Sequence, residues 1–210
     1  MNLHEVYANL MADKQKLDWK RDSLFPKALK EMQRRGELPA WVMYEYKLPS
    51  SNNQYIIYFY AERPYARIIG DYCCVLFDEN KRYIVKRIDT AIPEIHVLTS
   101  HFIQRYNERF LKQPELTANE TAIRYLTRNT SMKPMAIDKR INKNIGEYGE
   151  YGDEGFLVAD GFCFKRSGEE SVKGEQPVRI SLFTTFMPRD EMSESQRNAI
   201  FEECLKGGKL

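Results

Sequence analysis

Between residues 41 and 89 the chain carries four runs of β-branched and aromatic residues separated by polar turn signals, and this pattern constrains the fold more than any other. WVMYEYKL is followed by SSNN and then QYIIYFYA, which reads as a hairpin. After Arg63-Pro64 a second pair, YARIIGDYCCVLFD and KRYIVKRID, is joined by Asp78-Glu79-Asn80-Lys81. A four-stranded antiparallel meander with one covered face is the simplest account. On either side the periodicity turns helical. Leu3, Val6, Tyr7, Leu10 and Met11, then Leu24, Leu29 and Met32, suggest two short helices, with Asp22-Ser23 as a cap signal and Gly36 as a stop.

Beyond Ile92-Pro93 a second region begins. Phe102, Ile103, Tyr106 and Phe110 make one apolar helical stripe behind the capping candidates Thr99 and Ser100, and Pro114 ends it. Thr117-Ala-Asn-Glu120 is a capping box that opens the next helix, and Ser193-Glu-Ser-Gln196 opens a C-terminal one. Residues 131 to 155 read as loop, GFLVADGFCFKR and PVRISLFTTFM as strands. Segregated helices and antiparallel strands without regular βαβ alternation define an α+β fold, an antiparallel sheet with helices packed on one face. The organisation expected is residues 1–92 as N-terminal helices plus meander and 93–210 as helical pair, strands and terminal helix, in two domains or one continuous domain.

Composition narrows the class of function. With 32 Lys+Arg against 30 Asp+Glu in 210 residues, the chain is nearly neutral, which disfavours a strongly cationic nucleic-acid binder but not a local basic face. The first twenty residues hold no apolar core of a signal peptide, and no stretch approaches the roughly 20 apolar residues of a membrane helix, so a cytoplasmic protein without a membrane role is expected. Cys73, Cys74, Cys163 and Cys204 lack the spacing of a zinc or redox motif and are expected as reduced, mostly buried thiols. No metal and no cofactor is expected: His96 and His101 lie five apart with no Cys or paired carboxylate at ligand spacing. Nucleophile-elbow, Walker, HExxH and EF-hand motifs are absent from the sequence.

Charge is unevenly placed. Residues 101–145 hold nine Lys/Arg against four acids, whereas 147–160 hold five acids (Glu147, Glu150, Asp153, Glu154, Asp160) and no Lys or Arg. Within the basic segment His101, Arg105 and Arg109 stand at i, i+4 and i+8, which on an α-helix is one ridge. Its first turn adds free backbone N–H groups to a side chain that titrates near neutrality. Such a ridge can bind a phosphate, since Arg offers forked donors and His can exchange a proton; the alternative is a salt-bridge network with Glu108 and the 147–160 acids. Tyr44, Tyr46, Tyr55, Tyr58, Phe59 and Tyr60 could form a base-stacking platform, though core packing is the simpler reading. Gly146, Gly149, Gly152 and Gly155 recur in a flexible loop without a nucleotide-binding context.

The order S-H-x-x-x-R-x-x-x-R on a helix, then a second helix and two strands ending in VRISLFTTF, covers about residues 95–188 and resembles the small RelE-like and barnase-like ribonuclease toxins. In those families a helix bearing His and Arg packs on an antiparallel sheet, and RNA is cut by its own 2′-hydroxyl. The resemblance implies His101 as general base or acid, Arg105 and Arg109 as stabilisers of charge on the phosphorus oxygens, and Thr184 or Thr185 as a hydroxyl that positions a phosphate oxygen. Arg124, Tyr125 and Arg128 on the second helix complete the set as substrate-binding residues, with Tyr125 read either as a stacking group or as core. The toxins are about half as long and more basic than this chain. Two expectations therefore stand: a binding module for an RNA or protein partner with a basic face at 101–145, or a metal-independent RNA-cleaving enzyme centred on His101.

Overall fold

The computed structural model describes residues 2–64, 66–79, 81–88, 92–137, 140, 154–171 and 176–206. They form four helices and nine strands, mostly antiparallel, an α+β fold. The chain divides into two compact units, Met1–Val97 with Glu169–Ile180, and Leu98–Gly168 with Ser181–Leu210.

In the first unit, helix α1 (Leu3–Arg35) lies against the meander β1 (Ala40–Lys47), β2 (Gln54–Ala61), β3 (Ile69–Asp78) and β4 (Lys81–Ile88), with β5 (Glu94–Thr99) next to β4. The strands pair antiparallel as expected of a meander, with Tyr46 opposite Tyr55, Tyr55 opposite Cys74 and Cys74 opposite Val85. Instead of two helices there is one of 33 residues. Ser23 turns its Oγ back to the Lys20 carbonyl rather than capping a new helix, and Arg21 bridges Asp18 and Asp22 across the supposed break. The buried stripe Leu10, Leu17, Ala28 and Met32 runs through it, so packing on the sheet outweighs the local stop signal and the helical Pro26. Gly36 ends the helix with φ 68°, its N–H donating to the Met32 carbonyl.

Asp13, on the buried face of α1, binds the helix to the first hairpin. Its Oδ2 accepts from Ser51 Oγ (2.6 Å), Tyr55 OH (2.7 Å) and Asn53 Nδ2 (3.0 Å), so the SSNN turn both reverses the chain and supplies donors to a buried carboxylate. Of the six aromatics considered for base stacking, Tyr55, Tyr58, Phe59 and Tyr60 are buried and Tyr44 and Tyr46 half-buried. Lys27 lies over the Tyr44 ring and Lys20 over that of Tyr46. No described helix is long and apolar enough to cross a membrane.

The second unit carries α2 (Ser100–Tyr106), α3 (Ala118–Arg128), β6 (Lys133–Ala136), β7 (Glu154–Leu157), most of β8 (Gly161–Glu170) and of β9 (Val178–Pro188), and α4 (Glu194–Lys206). Its strands follow the order β9-β8-β7-β6. The short strands β5 and β6 answer to no expectation from the sequence. The run GFLVADGFCFKR forms two strands, because the Val158 N–H donates to the Gly161 carbonyl and reverses the chain at Asp160.

Alternation along β8 sends Cys163 toward Tyr125 of α3 and sends Phe162 and Phe164 toward Ala199 and Ile200 of α4. Helices thus lie on both faces of these strands. On the α2–α3 side, Phe102, Tyr106, Tyr125, Phe183 and Phe186 make a continuous set of edge-on ring contacts at 4.9–6.3 Å. Phe183 and Phe186 both meet Phe102 while Met187 packs on the opposite side, so the alternation of β9 slips by one residue at Thr184-Thr185, as in a β-bulge. Thr99 caps α2 at the Phe102 N–H, and the Thr117/Glu120 and Ser193/Gln196 boxes form as expected.

Candidate functional site

The basic ridge is built on α2, and α2 does not continue as an α-helix. After Tyr106 the chain enters a π turn, Asn107–Leu111, closed by Lys112 at φ 54°, whose N–H donates to the Asn107 carbonyl at 2.7 Å. Asn107 holds this ending in place, donating from Nδ2 to the Gln113 carbonyl and accepting the Gln113 N–H at Oδ1. A π turn uses one residue more than an α turn, so positions four apart no longer align. His101 and Arg105 remain one α turn apart, both half-buried, while Arg109 turns away and donates Nη1 to the Phe186 carbonyl at 2.9 Å. Arg105 pairs with Glu108 at 2.8 Å. Hydrogen bonds from Gln104 and from Arg105 hold the Glu108 carboxyl below its usual range.

The strongest electrostatic feature of the unit centres on Asp160, one of the five acids of the 147–160 segment. Its Oδ2 accepts from Tyr106 OH (2.6 Å), Arg128 Nε (2.9 Å) and Asn129 Nδ2 (2.9 Å), and its Oδ1 from Arg128 Nη2 (2.8 Å). Asn129 Oδ1 in turn accepts the Asp160 N–H. Burial alone raises the Asp160 pKa, but the bonds from Arg128, Tyr106 and Asn129 outweigh it and the net shift is downward. The bond to Asp160 raises Arg128, and burial beside that carboxylate pushes the Tyr106 phenol up. The carboxylate side chain is 6% exposed and the guanidinium side chain 36%, so a buried anion is held by a cation at the surface.

Around this pair, Phe110 of the π turn lies under the Arg128 guanidinium, 5.1 Å from ring centroid to Cζ, and stacks against Tyr106 at 5.4 Å. Arg124 stands one turn before Arg128 on α3 and is half-buried; burial lowers its pKa, Glu120 and Glu115 act against that shift and Arg128 adds to it. Arg105, Arg124 and Arg128 therefore belong to one helical pair whose cations meet solvent, and Arg109 is bonded inward. Among the other basic residues, Arg140 pairs with Glu202 at 2.7 Å; Lys139 and Lys143 lie outside the described residues.

The remaining members of the expected site lie in the core. Thr184 is buried and donates to the Phe164 carbonyl at 3.2 Å, Thr185 is buried beside it, and Tyr125 is 1% exposed with its OH 3.2 Å from Cys163 Sγ. Burial pushes the Cys163 thiol up and Tyr125 well above the usual phenol range, so neither is an ionised group at neutral pH. Thr99, not Thr184, is the hydroxyl residue linking α2 to β9, donating to the Phe183 carbonyl at 2.9 Å. Glu154 pairs with Lys165 at 2.8 Å and also accepts from Ser167. The acids Glu147, Glu150 and Asp153 and the glycines Gly146, Gly149 and Gly152 lie outside the described residues. Gly155 has a packing role, since a Cβ there would collide with the Phe162 ring.

Asp160, Asn129 and Phe110 are the participants that sequence reasoning did not place. The hub joins residues 54 positions apart, Tyr106 and Asp160, through a turn that the strand pattern concealed. All four cysteines are free thiols, and among the described residues no three His, Cys, Asp or Glu side chains gather as metal ligands. No protein-family model, no curated protein and no solved structure matches the chain.

Proposed function

We propose that this chain is a non-catalytic binding module that engages an anionic partner through the cationic face of α2 and α3, with Arg105, Arg124 and Arg128 as its contacts. The observation that carries the reading is the inward placement of the hydroxyls: Thr184 and Tyr125 use theirs within the core and Thr185 is buried with them. The ribonuclease reading gives Thr184 or Thr185 the positioning of a phosphate oxygen, a role that their burial withholds, whereas anion binding needs only fixed guanidinium groups at the surface. The basic face and its neutral parent chain fit a local, salt-sensitive contact rather than a whole-molecule attraction.

The second reading, metal-independent RNA cleavage by His101, keeps one supporting observation, the half-buried imidazole one α turn before Arg105. One assay separates the two. Labelled single-stranded RNA and, in parallel, heparin are titrated with purified protein in EDTA at several ionic strengths, with His101→Ala alongside. The binding reading expects retention that weakens with salt, intact RNA throughout and an unchanged His101→Ala protein. Cleavage that disappears in His101→Ala establishes the enzyme instead, and no salt-dependent binding to either polyanion removes the basic-face reading.

A further inference from the structure

The way Arg128 is held restricts what it can recognise. Its Nε and Nη2 edge, one of the two forks a guanidinium can offer to a phosphate or carboxylate, is already on Asp160 at 2.9 and 2.8 Å. The side chain is 36% exposed, so part of it remains open to a partner. The guanidinium plane is fixed: the carboxylate orients it in one direction, and the half-buried Phe110 ring supports it from 5.1 Å. Phe110 is placed there by the π turn, an irregularity that costs helix hydrogen bonding and recurs at functional positions. An immobilised plane of aromatic and guanidinium groups recognises another π system, and Arg124 lies one helical turn before Arg128 on the same helix.

Resting on the basic-face reading above, we propose that Phe110 and Arg128 form a stacking platform for an unpaired base of single-stranded RNA, with Arg124 contacting the backbone beside it. Unpaired RNA is the polyanion that presents isolated π-faces next to phosphates, and proteins read it by stacking on aromatic rings and Arg planes.

The test compares an oligouridine of about a dozen nucleotides with an oligomer of the same length and charge that lacks bases, both titrated into the full chain by fluorescence anisotropy at one salt concentration. The platform predicts binding of the base-free strand weaker by about tenfold, the loss of roughly one stacked base. Arg128→Lys keeps the charge beside Asp160 and removes the plane, and Phe110→Leu keeps the apolar support and removes the ring; each is expected to bring the two ligands to within about twofold of one another, with thermal melting followed by circular dichroism as the control for folding. Equal affinity for the two strands in the unaltered protein overturns the platform while leaving the basic face standing, as does a tenfold preference that survives in folded Arg128→Lys. Failure of both strands to bind overturns the basic-face reading itself.

Discussion

Each unit contains a buried aspartate that accepts three hydrogen bonds on one oxygen, and the two differ in who donates. Asp13 takes a hydroxyl, an amide and a phenol from the first hairpin, all neutral. Asp160 takes a phenol and an amide as well, and adds the two-pronged guanidinium of Arg128. The Asp13 arrangement takes its hydrogen bonds within the fold and bonds no cation directly. The Asp160 arrangement fixes a cation that is itself partly exposed, so one bond serves both the core and the outer face. At Asp13 the hydrogen bonds to the carboxylate come from neutral donors, with the Lys16 charge acting at a distance; the choice of arginine at 128 brings a surface consequence that Ser51, Asn53 and Tyr55 do not.

The largest way to break the comparison is Arg128→Met. It leaves the Asp160 charge buried with neutral donors only, and should lower stability by about 3 kcal/mol in urea denaturation. Adding Asp160→Asn to it should recover about 1 kcal/mol or more, since the stranded charge is gone. If Arg128→Met costs nothing measurable, neutral donors suffice at Asp160 as well and the contrast fails. Next comes Asp13→Asn, expected to cost about 2 kcal/mol, because a neutral amide oxygen accepts the three bonds from Ser51, Asn53 and Tyr55 more weakly than the carboxylate oxygen does.

The pH dependence sharpens what the two sites share. Both carboxyls are held below their ordinary value of 3.8, so each contributes stability that is present above that value and is lost as pH falls through the lower folded value. Unfolding followed from about pH 5 down to about pH 2 should show the wild-type advantage over Asp13→Asn and over Asp160→Asn shrinking in step. An advantage that grows on acidification would reverse the assigned sign. Salt gives the smallest effect and separates the sites again: raising sodium chloride to about 1 M should reduce the cost of Arg128→Met by a few tenths of a kcal/mol, through screening of a pair with one exposed partner. The cost of Tyr55→Phe should not change, because that bond has a neutral donor.

Local chemistry was legible in the sequence wherever the signal is local. The meander, the Thr99 cap and both capping boxes each rest on residues a few positions apart. The continuity of α1 was not legible, since Asp22-Ser23 is a fair cap signal that only packing of Leu17 and Ala28 on the sheet overrides. Strand β5 is six residues long and lies next to a helix cap, and β6 is four, too short for any period to register. At the site, the spacing of His101, Arg105 and Arg109 makes a ridge only if the helix stays α, and the sequence carries no plain mark of the π turn at Asn107. Asp160 was visible as a charge and Arg128 as a basic residue; their pairing across 32 positions depends on the turn at Gly161. A signal was present in Phe110, an aromatic at the end of an apolar stripe and next to Arg109.

The central claim is that the face of α2 and α3 binds a polyanion through a few defined guanidinium groups, and the salt dependence of that binding tests it most directly. The dissociation constant for oligouridine is measured across a range of ionic strengths for the wild type and for Arg105→Gln/Arg124→Gln. The account predicts a log–log slope that is shallower in the double variant by about 1.4, the sum for two lost single-strand phosphate contacts, with melting behaviour retained. Identical slopes in the two proteins would place the binding elsewhere on the molecule and contradict the account.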